Sequence, residues 1–335
     1  MEGDKYNLRS VILGSAKQLA SEPDFFNQLC LTRRSFDKII LCGMGGSALA
    51  GDFFDYLKGK KYLPLSLSIP LLTHRSYELP TSADQHSLII CVSYSGQTEE
   101  TISAYQAAKK QNLEVAVITY GGKLAELCKQ NSTPWVKVPQ DRMPPRFSLG
   151  YQLIALAKLF MAYGLLASSA KDEAVLLADS IDPSAIENEA KALCSKFVNK
   201  IPIIYSSEDN ELMSRLWKIQ FNENTKIPAF YNSFPELNHN EMVGWTKSLG
   251  PFFFLFLQDD NDSPEIKKRM RLTAQLLRAK NLPLEFIKID GSTPLENLFR
   301  TLIFGDWLSY HLALFYGVDP YPVEMVEEFK KLLNN

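Results

Sequence analysis

Cysteine is sparse and unpatterned in this chain. Cys30, Cys42, Cys91, Cys128 and Cys194 are odd in number, widely spaced and free of any C-x-x-C. That excludes a disulfide framework and fits free thiols in a reducing compartment, the cytoplasm. Histidine is scarcer, with four in all and no two within helical reach of each other. A structural zinc site is therefore not expected. An excess of positive charge is missing too: 36 Lys and Arg face 38 Asp and Glu, for a net charge of −2. Neither nucleic acid nor a membrane surface is an expected partner. No long uncharged apolar run is present, so no membrane span is expected. The opening M-E-G-D-K-Y-N lacks a basic segment followed by an apolar core, so no signal peptide is expected.

What the chain does have is the apolar content of a packed protein, 46% over 335 residues, which allows two domains. The organising stretch is Cys91 to Thr101, C-V-S-Y-S-G-Q-T-E-E-T. The apolar run Leu88 to Val92 enters it and a helical pattern, Glu99 to Lys110, leaves it. A strand turning abruptly into a helix leaves backbone N–H groups pointing outward, and the helix dipole adds partial positive charge. Ser93, Ser95 and Thr98 would add hydroxyl donors for an anion. With no Lys or Arg in the loop, a phosphate would be held by neutral groups. An ordinary capped turn is the competing reading, since Ser and Thr are good N-caps.

Taken in order, residues up to Phe36 read as a helical lead-in. Lys38 to Cys42 reads as a buried strand running into G-M-G-G-S-A, Gly43 to Ala48, and a helix through Tyr56. Strands are expected at Leu65 to Leu72, Leu88 to Val92, Val115 to Thr119 and Trp135 to Val138. Helices alternate with them, including Lys123 to Gln130. After P-P-R-F, Pro144 to Phe147, come a long helix from Ser148 to Leu166 and two more, Lys171 to Asp179 and Pro183 to Phe197. The alternation resumes with strands at Ile201 to Ser207, Ala229 to Phe234, Phe252 to Leu257 and Leu284 to Ile289. Helices are expected at Glu211 to Glu223, Ser263 to Lys280, Pro294 to Tyr316 and Val323 to Leu333. The second half thus repeats the layout of the first. This is an α/β chain of two doubly wound domains, each a mainly parallel sheet flanked by helices, at 1–155 and 156–335. Ligands in such sheets sit beyond the carboxyl ends of the strands, where both glycine-serine loops lie.

Each candidate has a rival. Gly43, Gly45 and Ala48 fit G-x-G-x-x-A, a dinucleotide fingerprint. The following stretch Leu63 to Leu72 has no acidic residue for a ribose. Gly43, Gly45 and Gly46 could instead let a sugar phosphate approach the backbone, with Ser47 donating. Glu223 could be a solvated carboxylate, with Glu236 and Glu241 as competitors. His239, between Asn238 and Asn240, could merely pack a loop. Arg146 could form a salt bridge. Lys330 sits on an amphipathic helix beside Lys331. The basic run Lys267 to Arg271 reads as a solvated helix face, with Met270, Leu272, Leu276 and Leu277 apolar. Phe252 to Phe256 reads as a core strand.

Together G-M-G-G-S-A, S-Y-S-G-Q-T-E-E-T, P-P-R, F-N-E-N and E-L-N-H-N-E resemble the bifunctional phosphoglucose/phosphomannose isomerases, which are built from two sugar isomerase (SIS) domains. The resemblance spans nearly the whole chain. It implies a metal-free aldose–ketose isomerase that works through a cis-enediol as a homodimer with sites at the interface. By motif, Gly46, Ser47, Ser93, Ser95 and Thr98 would hold the substrate phosphate, and Arg146 would face the reacting carbons. Glu223 would be the base, and His239 would assist ring opening from the partner subunit. Lys330 resembles the family's C-terminal active-site lysine. Tyr321 in D-P-Y-P stands where many relatives carry a small hydroxyl residue, which bears on tolerance of the C2 epimer. A non-catalytic sugar-phosphate sensor is the alternative; it would have no use for Glu223 and His239. A metal-dependent mannose 6-phosphate isomerase would need clustered ligands on a β-rich fold.

Overall fold

The computed structural model describes residues 3–28, 35–65, 67–140 and 143–333. Its contacts divide the chain into two units, Gly14–Ile181 and Asp182–Asn335, the latter together with Met1–Leu13. Helix α1 (Leu8–Leu13) belongs to the C-terminal unit, where it packs on helices of that unit. The boundary expected at 155 falls inside a helix, Leu149–Ala162, which packs on elements of the N-terminal unit.

The N-terminal unit contains β1 (Asp24–Phe26), β2 (Lys38–Gly43), α2 (Gly46–Gly59), β3 (Leu71–His74), β4 (Ser87–Val92), α3 (Glu99–Lys110), β5 (Glu114–Thr119), α4 (Gly122–Gln130), β6 (Trp135–Lys137), α5 (Leu149–Ala162) and α6 (Ser169–Ser180). The sheet order is β1-β6-β5-β4-β2-β3. All pairs are parallel except β1 with β6. The C-terminal unit contains α7 (Pro183–Cys194), β7 (Ile201–Ser207), α8 (Glu211–Gln220), β8 (Phe230–Phe234), α9 (Glu241–Gly244), β9 (Phe252–Asp259), α10 (Pro264–Ala279), β10 (Leu284–Ile289), α11 (Pro294–Phe315) and α12 (Glu324–Leu333). Its four strands are all parallel, in the order β10-β9-β7-β8. That order matches β5-β4-β2-β3, so the expected repeat is present in the strand topology.

The central strands form because they are apolar on both faces. All six residues of β4, S-L-I-I-C-V, are buried, as a parallel strand covered by helices on both sides requires. Helix α3 buries Thr101, Ala104, Tyr105 and Ala108, the i, i+3, i+4, i+7 stripe of a one-faced helix. Glu99 and Glu100 open it and Lys109 and Lys110 close it, matching the helix dipole. In the C-terminal unit Phe254 and Phe256 of β9 pack with Tyr205, Phe234 and Met270.

Three expectations need correction. The lead-in is not one helix: a 3-10 turn over Ala16–Ala20 follows α1, and Asp24–Phe26 then pairs with β6. Phe26 stacks on Trp135 at 4.6 Å, a contact across the chain that outweighs local helical preference. The part of that lead-in at 29–34, with Cys30, lies outside the described residues. The strand expected from Leu65 begins only at Leu71, because Leu63–Leu65 forms a 3-10 turn around Pro64 and Pro70 immediately precedes the strand. On α10, Leu272 and Leu276 are exposed, and the buried face is Met270, Thr273, Ala274 and Leu277.

Candidate active site

Strand order reverses between β2 and β4, since β3 lies outward from one and β5 and β6 outward from the other. The crevice at such a switch point is where α/β sheets take ligands. Loop Gly43–Ser47 leaves β2 there and loop Ser93–Thr98 leaves β4, with Gly43 opposite Val92 in register. The two loops are stitched together: the Tyr94 N–H donates to Ser47 Oγ at 3.0 Å. Within the second loop, Ser93 Oγ and Thr98 Oγ1 are 2.8 Å apart, and Ser93 Oγ also accepts the Gly96 N–H at 3.1 Å. Gly96 has φ +68 and no room for a Cβ against Gly121 O, so only glycine fits this turn.

The same loop cluster reaches the P-P-R segment. A Cβ on Gly46 would lie 3.0 Å from the Arg146 nitrogen and 3.1 Å from its Cα. Arg146 is buried in a 3-10 turn, its guanidinium 5.1 Å from the centre of the Phe147 ring. Two glutamines absent from the sequence reading fix this turn. Gln152 Nε2 donates to Pro145 O at 3.2 Å and to Ser148 Oγ at 2.9 Å. Gln18 Nε2 donates to Phe147 O at 2.6 Å. Glutamine on a helix carries no motif, and only the fold reveals these partners. The structure thus brings together Gly46, Ser47, Ser93, Ser95, Thr98 and Arg146.

The capped-turn reading of the serine loop holds in part, since the Gln97 N–H donates to Ser95 Oγ at 3.2 Å. Thr98 occupies the N-cap of α3, yet its hydroxyl bonds Ser93 and caps no helix N–H. Helix α2 also starts without a side-chain cap, behind Gly45. Helices α4, α5, α6 and α8 also start without one, whereas Asp182, Ser263 and Thr293 cap α7, α10 and α11 with their own oxygens. Two helix starts without side-chain caps meet at the switch point, an arrangement suited to an anion. Exposure then divides the hydroxyls. Ser93 is fully buried and Ser47 nearly so, whereas Ser95 and Thr98 are half-buried. Ser47 accepts from Tyr94 and keeps its O–H to donate.

The dinucleotide reading lacks its acidic partner, for β3 is L-L-T-H. Beneath the loops Cys42 and Cys91 are register partners on β2 and β4. The Cys91 thiol is held well up by its bond to Cys42 and by burial, and burial pushes Cys128 up to about 12. They are protonated core groups. Cys42, Cys91, Cys128 and Cys194 are free, as expected.

The switch point of the C-terminal unit lies between β7 and β9 and is chemically different. There Asp259 and Asp262 are buried, and Asn210 Nδ2 lies 3.4 and 3.2 Å from them. Carboxylates where the other unit has hydroxyls make that edge unsuited to phosphate. Glu223 instead sits in a five-residue π-helical turn, Phe221–Thr225, which prolongs α8. Such turns are rare and frequent at functional sites. The turn ends at Lys226, a left-handed residue with φ +61, whose Nζ donates to the Glu223 carbonyl. Glu241 accepts from Tyr205 Oη and Asn232 Nδ2, and Glu236 accepts from Asn240 Nδ2 at 2.6 Å.

His239 ends the 3-10 turn after β8 and is exposed. Lys330 is exposed on α12, 2.8 Å from Glu327, and Lys331 is exposed as well. Glu223, His239 and Lys330 therefore stand on three separate elements of their unit. The Tyr321 ring stacks on Tyr6 with centroids 4.2 Å apart. Among the described residues no group of three or more His, Cys, Asp or Glu side chains gathers as a metal site, and no helix is long and apolar enough to cross a membrane.

Residues 186–333 match the bacterial phospho-glucose isomerase C-terminal SIS domain. The bifunctional phosphoglucose/phosphomannose isomerase of Caldicellulosiruptor bescii is 36% identical, covering 89% of each chain. Its namesake from Aquifex aeolicus is 32% identical over 88% of this chain and 90% of its own. A D-glucosamine-6-phosphate 4-epimerase from Sulfolobus acidocaldarius is 30% identical over 66% of this chain and 68% of its own. Among solved structures, the C-terminal domain of glucosamine-fructose-6-phosphate aminotransferase from Francisella tularensis superposes with a TM-score of 0.68 at 16% identity, covering 96% of this chain and 99% of that one. At that identity the likeness shows the fold alone. The sequence relatives, matched over most of both chains, decide the family: this chain belongs to the bifunctional phosphoglucose/phosphomannose isomerases.

Proposed function

We propose that this protein interconverts glucose 6-phosphate, and also mannose 6-phosphate, with fructose 6-phosphate. Ser95, Thr98 and Ser47 hold the substrate phosphate together with the start of α3; Ser93 keeps the serine loop in shape, and Gly46 lets the Arg146 backbone come close. Arg146 faces the reacting carbons. His239, with Lys330, opens the pyranose by moving protons at O1 and O5. Both groups are solvent-exposed in the isolated chain, which fits their use across a homodimer interface. The setting is cytoplasmic sugar metabolism, where such phosphates are handled.

The chemistry needs one carboxylate. Glu223 takes the C2 proton of the open-chain aldose. The C–H electron pair forms the C1–C2 double bond, and O1 gains a proton to give the cis-enediol. Glu223 then returns its proton to C1 while O2 gives one up, leaving the ketose. Negative charge grows on the enediol oxygens along this path, and a fixed guanidinium stabilises it. The two aldoses differ only at C2, so both give one enediol when the C2–C3 bond rotates. The phosphate supplies binding energy remote from the reaction, which aligns the reacting end.

The observation that carries the reading is the meeting of the two glycine-serine loops with the Arg146 turn at one sheet edge. The relatives' enzyme names disfavour the sensor reading. A coupled assay decides. Glucose 6-phosphate, mannose 6-phosphate and glucosamine 6-phosphate are offered separately, in excess EDTA, and ketose formation and C4 epimerisation are followed. Ketose from the first two sugars is expected. Epimerisation without ketose, or activity restored only by a divalent metal, overturns the proposal.

A further inference from the structure

The π-helical turn Phe221–Thr225 poses a problem that its own sequence does not solve. A π turn carries one residue more than an α turn and persists only where its surroundings hold it. Here the holding groups are polar, buried and concentrated on one stripe of α11. Gln220 Nε2 donates to Leu302 O at 2.9 Å and to Asp306 Oδ1 at 2.7 Å. Asn224 Nδ2 donates to Ser309 Oγ at 2.9 Å, and Thr225 Oγ1 donates to Ser309 O at 2.9 Å. Leu302, Gly305, Asp306 and Ser309 are spaced i, i+3, i+4 and i+7, so they share one face of α11.

Sixteen of the 22 residues of α11 are buried, in a helix that is otherwise largely apolar. Ser309 is fully buried, and its Oγ donates to Gly305 O at 2.7 Å while accepting from Asn224. That pair of bonds fixes where its lone pair points. Asn224 is fully buried too and immediately follows Glu223. A change in backbone winding at Asn224 would redirect the Cα–Cβ bond of Glu223, because the two are consecutive residues of one turn. A packed apolar pair at these positions would fill the space without dictating the winding.

We infer that Ser309, through the bond of its hydroxyl to Asn224, is the positioning residue that keeps the turn π-wound and aims the Glu223 carboxylate. The inference rests on Glu223 being the base. Ser309→Ala removes the Ser309 Oγ–Asn224 bond and lets the turn relax toward α winding. Loss of aim costs turnover and spares phosphate binding, since misplacement on the scale of 1 Å lowers rates by about 100-fold.

The test compares Ser309→Ala, Asn224→Ala, the double variant, Ser309→Thr and Glu223→Gln with the parent chain. Expected are falls in kcat of roughly 10-fold or more for each alanine variant, unchanged KM and unchanged competitive inhibition by inorganic phosphate. The double variant should be no slower than the slower single, because both remove one contact. Ser309→Thr, which keeps the hydroxyl, should recover most of the kcat. Hydrogen exchange supplies a readout independent of activity: amides 221–226 should lose protection in Ser309→Ala while β7 and β9 keep theirs. Unchanged exchange there, or alanine variants with parental kcat beside an inactive Glu223→Gln, overturns the inference. Parental kcat in Glu223→Gln overturns the assignment of the base instead.

Discussion

The Tyr94 N–H donates to Ser47 Oγ over 3.0 Å, tying the loop after β2 to the loop after β4. The residues are 47 apart in sequence and both are buried. That bond fixes the distance between two helix starts that would share one phosphate. Ser47→Ala removes the acceptor of a buried N–H, a loss of about 1–3 kcal/mol. The expected outcome is a lower urea midpoint together with a KM raised for every phosphorylated substrate. A KM equal to the parent's would show that the stitch serves stability alone.

Ser95 and Thr98 are the half-buried hydroxyls of the serine loop. Replacing both by alanine removes two neutral donors and adds no bulk. Each neutral hydrogen bond is worth about 1 kcal/mol, so affinity for the sugar phosphate should fall by roughly 10- to 100-fold. Titration calorimetry with fructose 6-phosphate measures it. Affinity within two-fold of the parent would move the phosphate elsewhere.

Glu223→Gln keeps the shape of the π turn and removes the proton acceptor. Turnover should fall by roughly 100-fold or more, with substrate still bound. Stopped-flow binding beside steady-state rates separates the two. Glu241 serves as the internal control, because its carboxylate is held by Tyr205 and Asn232. Glu241→Gln should alter stability before it alters the pH profile of turnover.

The legibility of this chain follows the reach of its interactions. The Leu88–Val92 strand and the Glu99–Lys110 helix could be read from sequence because burial on both faces and an i, i+4 stripe leave local patterns. Gly46 and Gly96 could be marked as loop glycines, but their reasons, the Arg146 backbone and the Gly121 carbonyl, lie far along the chain. The segment Asp24–Phe26 does not read as a strand locally because a strand edge more than 100 residues on decides its conformation: Phe25 pairs with Val136, and Phe26 pairs with and stacks on Trp135. F-N-E-N marked Glu223, yet nothing in those letters announces a π turn. The holding groups are on α11, more than 80 residues away.

Gly305 lets α8 approach α11 closely. A Cβ there would lie 2.7 Å from Trp217 Cδ1 and would also meet Gln220 Oε1. Gly305→Ala should therefore push Gln220 off Asp306 and Leu302. Overpacking of this kind costs about 1–3 kcal/mol. A thermal midpoint lowered accordingly is expected, with kcat falling more than KM changes. An unchanged midpoint would show that the helices separate freely.

His311 supplies a pH dependence of stability that is separate from catalysis. Its ring stacks on Trp307 and is largely buried, with Nε2 3.2 Å from Glu187 Oε1 but off the line of a hydrogen bond. Glu187 also receives Arg9 at 2.6 Å. Burial lowers the His311 pKa below its ordinary value; Glu187 opposes this, while Lys191 and Arg9 add to the lowering. The unfolded chain therefore binds a proton more readily than the folded one. The stabilisation is fully present above the ordinary histidine value of about 6.5 and is lost as pH falls through the lower folded value. Urea unfolding at a series of pH values from about 8 down to about 5 should show the parent losing stability on acidification more steeply than His311→Gln. Parallel curves for the two proteins would mean that the ring stays solvated enough to titrate alike in both states.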